Sequence, residues 1–422
     1  MTAVHRATSP VHAETGVLGV DAIRGHFPAL ARREGGIPVA YFDGPGGTQV
    51  PQAVADAVTN YLLHHNANTH WIYPTSIETD ALLDAARAIF ADLFNASPAD
   101  VSFGNNMTTI AFHLARALGR RWREGDELVV TELDHHANVA PWRDVARAHG
   151  LVVRTARLDP VTFRTDPDHL ASLIGPRTRL VAVGAASNAL GTITDVAAVC
   201  AMARAAGALS FVDAVHSVPH LLPDVRQIGC DFLACSSYKF YGTHAGILYG
   251  RAGLVGALDV PKLEPSPNTA PERLETGTQN HEGIVGAAAA VTWLASLAGD
   301  AGTRRERLAR SYAALHGRGE QLLARLWEGL AAVDGVTLYG PPPGTPRTPT
   351  VSFTLDGHST DDVARWLVAR GIYASNGDFY AQSVAERLGR SADGFVRIGA
   401  AAYTTMDEIE RVVEAVAALA RR

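Results

Sequence analysis

The sequence predicts an α/β protein built on a mainly parallel sheet, followed by a smaller C-terminal α+β domain. Through the middle of the chain, short β-branched runs alternate with amphipathic stretches, the pattern of βα units. After about residue 300 that alternation gives way to long helical patterns and isolated strands. The apolar share of 47% and charged share of 19% over 422 residues belong to a globular chain with a large core.

The strand signals are Leu128-Val-Val-Thr131, Leu151-Val-Val-Arg154, Leu180-Val-Ala-Val183, Leu209-Ser-Phe-Val-Asp213 and Asp231-Phe-Leu-Ala-Cys-Ser236. Val139–Ala148 and Asp195–Ala206 read as helices between them. Ile284–Ala298 is apolar but too short to span a membrane, so it reads as a buried helix. The helical stretch 303–330 leads into Pro341-Pro-Pro-Gly344, then short strands near Val351–Thr354 and Phe395–Ile398. The last helix carries Ile409, Val412, Val413, Val416 and Leu419 at helical spacing, with Thr405-Met-Asp-Glu408 as its capping box. The expected organisation is an N-terminal segment 1–38 packing with the small domain, a large domain 39–300 and a small domain 301–422.

Composition excludes several classes of function. A net charge of −6 without single-sign blocks argues against nucleic acid or anionic lipid as the main partner. Three cysteines, Cys200, Cys230 and Cys235, are too few and too irregularly spaced for a disulfide framework or zinc site, so no metal is expected. Residues 1–20 lack an apolar signal core, and a cytoplasmic location fits.

Lys239 is one of only two lysines, in a chain that otherwise uses arginine for positive charge. Arginine can replace lysine on a wet surface, but it cannot lose its proton or form an imine with an aldehyde. Lys262 sits in a proline-flanked loop and reads as a surface cation. Lys239 follows an apolar strand among hydroxyl residues and reads as catalytic. Ligands of parallel sheets bind at the carboxyl ends of strands, where Asp213 and Lys239 both fall.

The motifs Asp134-His-His-Ala-Asn-Val-Ala-Pro-Trp142, Ser187-Asn-Ala-Leu-Gly191, Phe211-Val-Asp-Ala-Val-His216, Ser236-Ser-Tyr-Lys239, Glu275-Thr-Gly-Thr278 and Val396-Arg-Ile-Gly399 occur in that order. Together they resemble the class V aminotransferases, fold-type I pyridoxal-phosphate enzymes that include cysteine desulfurases and selenocysteine lyases. The likeness runs from about Tyr41 to the C-terminus. It implies a fold-type I transferase, a pyridoxal 5'-phosphate cofactor, a small amino-acid substrate and a homodimer with shared active sites.

The resemblance also implies roles. Lys239 holds the cofactor aldehyde as an imine and then serves as base at the substrate Cα. Asp213 pairs with the pyridine nitrogen and keeps it protonated. His135 stacks on the ring, and Asn188 and His216 flank its phenolate edge. Backbone amides of Asn106, Met107 and Thr108, at the start of the helical run Ile110–Leu118, cradle the phosphate with Ser236 and Tyr238. Thr278 comes from a partner subunit, and Arg397 grips the substrate carboxylate. Tyr380 and His70 are further substrate-binding candidates.

The pattern breaks at the sulfur acceptor. Desulfurases carry a loop cysteine that stores sulfur as persulfide, and the register places Tyr380 at that position. No cysteine follows Cys235, and Ser375 stands where desulfurases tend to have arginine. The expected chemistry is therefore C–S or C–Se β-elimination or a related β-lyase reaction without persulfide. Epimerase, γ-elimination and aminotransferase reactions are alternatives on the same scaffold. Asp134-His-His136 also matches the short motif of manganese phosphoesterases, but the further metal-binding motifs of that family are missing. A non-catalytic cofactor-binding scaffold is the remaining alternative, and the intact Lys239 speaks against it.

Overall fold

The structure, a computed structural model, describes residues 16–422. The expectation for residues 1–15 lies outside the described residues. The central sheet contains seven strands: β1 (Val101–Gly104), β2 (Glu127–Thr131), β3 (Val152–Ala156), β4 (Thr178–Gly184), β5 (Leu209–Asp213), β6 (Phe232–Ser236) and β7 (Gly246–Gly250). Their spatial order is β1-β7-β6-β5-β4-β2-β3. Only β7 runs against the others, pairing antiparallel with both β6 and β1. The sheet is mixed and mainly parallel.

Alternation along the strands explains why both faces are covered. Val129, Val181, Val212 and Leu233 enter one core with Phe90, Val199 and Ile284. Their neighbours Leu128, Val130, Ala182, Phe211 and Phe232 enter a second core with Leu114, Leu118, Trp142 and Val145. The first face is covered by α1 (Pro74–Phe94), with α4 (Val196–Ala205) and α5 (His281–Ser296). The second is covered by α2 (Met107–Gly119) and α3 (Ala140–His149). Helix α5 is the apolar stretch expected to be buried. Among the described residues no helix is long and apolar enough to cross a membrane.

A four-stranded antiparallel sheet follows: β8 (Val336–Tyr339), β9 (Thr350–Leu355), β10 (Ser375–Gly377) and β11 (Phe395–Gly399), in the order β8-β9-β11-β10. Val351, Phe353, Val396 and Ile398 form a third core with Leu326, Leu367, Ile409, Val412 and Val416. Those residues come from α6 (Arg304–Ala331), α7 (Thr360–Val368) and α8 (Met406–Ala420). The capping box at Thr405 and Glu408 is present.

The segment from residue 16 contacts both parts. Phe27 packs against Trp293 and Tyr403, and Arg24 pairs with Glu408. Ala40–Tyr41 pairs in parallel with Ile372–Tyr373, which draws the next residues, from Asp43 onward, over the ends of the central strands.

Candidate active site

The carboxyl ends of β4, β5 and β6 lie side by side. Asp213 is in register with Gly184 on one neighbour and Ala234 on the other. β6 ends at Ser236, and a single 3-10 turn, Ser237–Lys239, places the lysine three residues beyond the strand. These ends floor a cavity of about 540 Å³ lined by Asn106, Met107, Thr108, His135, Asn188, Asp213, His216, Ser236, Tyr238 and Lys239. Ten of the residues expected from sequence thus share one cleft, of a size suited to a cofactor.

Lys239 is buried, and its Nζ donates to the Pro45 carbonyl at 2.6 Å. Burial, then the nearby Arg397 cation, lowers its pKa from 10.5 to about 8, against opposing attraction from Asp213 and Asp43. At that pKa the amine is still mostly protonated near neutral pH, but it gives up its proton far more readily than an ordinary lysine. It so supplies more of the form that attacks an aldehyde. Burial raises the Asp213 carboxyl to about 6, and only a hydrogen bond from Val215 N and attraction to Lys239 oppose this.

His135 Nδ1 accepts from Ala137 N at 3.0 Å, so the neutral ring carries its hydrogen on Nε2. Burial and then the Lys239 charge push this histidine down to about 4. Its neighbour Asp134 is spent on structure, since its carboxylate accepts from Gly184 N at 2.6 Å and from Asn138 Nδ2 at 3.3 Å. A Cβ at Gly184 would lie 2.6 Å from that carboxylate, so the approach requires glycine. Asp134, His135 and His136 do not converge on one point, and among the described residues no three His, Cys, Asp or Glu side chains could hold a metal.

Helix α2 begins at this cleft. Asn106 caps it by accepting from Thr109 N, and Ser236 Oγ accepts from Met107 N at 3.0 Å. The Met107 amide, expected to be free for phosphate, is held by Ser236, because the hydroxyl satisfies one of the open N–H groups of the first turn. Tyr238 stacks on His244 with ring centroids 4.9 Å apart.

Several buried polar atoms in the cleft lack partners. Asn188 Nδ2 donates to Phe379 O at 2.9 Å while its Oδ1 has none. His216 Nε2 contacts Thr348 Oγ1 and Thr350 Oγ1, while its Nδ1 has none. Orphaned buried polar atoms are rare and call for a missing partner. Together with a buried carboxyl, a readily deprotonated amine, an imidazole and a helix N-terminus, they fit pyridoxal phosphate.

The substrate end departs from expectation in three places. Arg397 is not free: its Nη2 donates to Asp43 Oδ1 at 2.8 Å and its Nη1 to Asn188 O at 3.0 Å. His70 does not reach the Lys239 cleft of its own chain. It lines a separate cleft of about 460 Å³ together with Thr278, and its backbone N–H donates to the Asp80 carboxylate. Tyr380 lies outside the cavity, 72% exposed, its ring 5.5 Å from that of His135. Sequence reasoning missed Asp43, Pro45 and Phe379. The glycine-dense string Asp43-Gly-Pro-Gly-Gly47, which permits close backbone approach, was the available signal.

No described thiol resembles a sulfur nucleophile. Cys200, Cys230 and Cys235 are all buried. Burial raises the Cys200 thiol to about 11 and the other two further still.

This fold and cleft define a pyridoxal-phosphate-dependent enzyme. The aminotransferase class-V family profile matches residues 40–412, and the chain belongs to that family. Cysteine desulfurase of Pectobacterium atrosepticum is 34% identical over 412 residues, covering 93% of this chain and 96% of the relative. A probable cysteine desulfurase of Pseudomonas putida is 34% identical over 406 residues, with 93% and 96% covered. The apo structure of cysteine desulfurase from Thermococcus onnurineus superposes with a TM-score of 0.86 at 26% identity, over 98% of this chain and 99% of that one. An Escherichia coli cysteine desulfurase gives 0.82 at 29%, over 95% and 98%. The chain is a cysteine desulfurase-like member of the family.

Proposed function

We propose that this enzyme cleaves a C–S or C–Se bond of a small amino acid by β-elimination, without passing sulfur to a thiol of its own. The observation that carries the reading is the pairing of a buried Lys239 amine of lowered pKa with a loop that presents Tyr380 and with cysteines that are all buried. Bound pyridoxal phosphate supplies an aldehyde for amines and a ring that absorbs negative charge from Cα. Lys239 attaches the group and then takes the Cα proton on Nζ. Asp213 holds a proton at the pyridine nitrogen. His135, with its hydrogen on Nε2, packs on the ring, and Asn188 and His216 flank the phenolate edge through their unpaired atoms. Ser236, Tyr238 and the start of α2, beyond the Met107 amide that Ser236 holds, take the phosphate, and Arg397 takes the substrate carboxylate. With cysteine the balance is cysteine plus water to pyruvate, ammonia and hydrogen sulfide.

On this reading residues 39–300 form the cofactor domain, residues 301–422 the small domain, and the enzyme works in the cytoplasm. Two copies of the chain complete each other's sites. Thr278 and His70 line one cleft away from their own Lys239, as residues serving a second copy would.

The test is product analysis of the cofactor-loaded enzyme with cysteine and selenocysteine. Sulfide and pyruvate in equal amounts, with no sulfur on the protein, support the proposal. Alanine accompanied by protein-bound persulfide would sink it.

A further inference from the structure

The guanidinium of Arg397 already holds a carboxylate. Its Nη2, common to both bidentate edges, donates to Asp43 Oδ1 at 2.8 Å and to Ser375 Oγ at 3.1 Å. The Ser375 hydroxyl in turn donates to the same Asp43 oxygen at 2.7 Å. Nη1 is bonded to Asn188 O, Nε is buried without a partner, and Cζ lies 4.0 Å from the centroid of the Phe379 ring. No edge of the fork therefore offers two free N–H groups to an incoming ligand.

We propose that Asp43 is an internal stand-in for the substrate carboxylate, a tethered competitor that keeps Arg397 paired until an amino acid displaces it. The inference rests on the assignment of Arg397 to the substrate carboxylate. Arg397 is only 3% exposed, and a buried cation left without its anion is strongly unfavourable. Asp43 is 47% exposed, so its own departure costs little. It also has somewhere to go: it borders a groove of about 670 Å³ shared with Gly46, Gly47, Val54, Tyr238 and His244. Ser375 gives Asp43 a second anchor on β10.

The same short segment reaches the lysine, because Pro45 O accepts from Lys239 Nζ. Asp43 is thus two residues from the carbonyl that holds the amine, so its displacement by a substrate is felt at Lys239. A tethered carboxylate competes at high effective concentration. The enzyme therefore binds simple carboxylates weakly. An amine without a carboxylate leaves the Asp43–Arg397 pair in place and goes unrecognised.

The experiment measures propionate binding to the cofactor-loaded enzyme by calorimetry, with melting temperature as a fold control. Asp43→Asn keeps the shape and removes the charge, and it should bind propionate about tenfold more tightly, the size of one charge-assisted hydrogen bond discounted for exposure. Ser375→Ala, which removes one anchor of Asp43 and frees one N–H of Arg397, should shift affinity in the same direction by less, and it carries the test if Asp43→Asn fails to fold. Arg397→Lys should weaken propionate binding in either background. Unchanged or weaker binding in a folded Asp43→Asn protein, with Arg397→Lys still harmful, overturns the stand-in and leaves Asp43 as a brace. If Arg397→Lys is also without effect, the carboxylate site itself is wrongly placed and the proposal falls with it.

Discussion

Asp213→Asn isolates the charge at the floor of the cleft. Without cofactor, the carboxyl titrates at about 6 in the folded protein against an ordinary 3.8, because burial disfavours its charged form. Below pH 3.8 it is protonated in both folded and unfolded chains and contributes nothing. As pH rises the unfolded chain ionises first, so stability is lost, and above about 6 the cost is complete. The gap corresponds to about 3 kcal/mol, of which about half is already present at pH 5. Asparagine has no such titration. The stability of cofactor-free Asp213→Asn relative to the unmodified protein should therefore rise by about 1.5 kcal/mol between pH 5 and pH 8. Urea midpoints of the two proteins across that range measure it. Adding pyridoxal phosphate should reverse the order at pH 8, because the protonated pyridine nitrogen gives the carboxylate its cation. A difference that stays flat with pH would refute the argument that Asp213 waits, desolvated, for a positive partner.

Uptake of pyridoxal phosphate, followed by its visible absorption, should accelerate with pH, bend at about 8 and level off above it as the Lys239 amine becomes neutral, where an ordinary lysine would still be accelerating. Lys239→Arg should abolish the covalent band, since arginine keeps the charge but cannot form the bond. Iodoacetamide should label none of the three cysteines of the folded enzyme at pH 8 and all three in urea, read by mass spectrometry. Ser236→Ala should weaken cofactor binding about tenfold in a fluorescence titration, because the hydroxyl that faces the phosphate position and holds Met107 N is lost.

The parts of the molecule legible in the sequence are those governed by local periodicity. β5 was readable to the residue, since Leu209–Asp213 alternates between two cores and ends on the charged group that the cleft needs. β7 was not identified: Gly246–Gly250 is short and glycine-bounded, and only its antiparallel place between β6 and β1 makes it a strand. The residues that line the Lys239 cleft were legible because each sits beside a strand end or helix start. The substrate end was not, because its contacts join residues hundreds of positions apart. Asp43 meets Arg397 only after Ala40–Tyr41 pairs with Ile372–Tyr373.

The loop around Tyr380 bears on how the site works. Phe379 and Tyr380 have φ of 56° and 57°, a left-handed region that costs non-glycine residues about 1 kcal/mol or more each. Two such residues in succession persist only where their surroundings hold them. Here Phe379 O accepts from Asn188 Nδ2, Tyr380 O from His136 N at 2.7 Å, and Tyr380 N donates to Asp378 Oδ1 at 2.9 Å. Two of these three bonds run to the motifs that carry Asn188 and His135. The backbone is thus bent to dock against the cofactor residues, which lays the Phe379 ring on Arg397 and the Tyr380 ring on His135. A loop that must carry sulfur away from the site needs freedom to leave. One pinned by its own carbonyls to the strand-end motifs of the cleft serves as a wall, and a wall suits the proposed elimination, whose product departs unassisted.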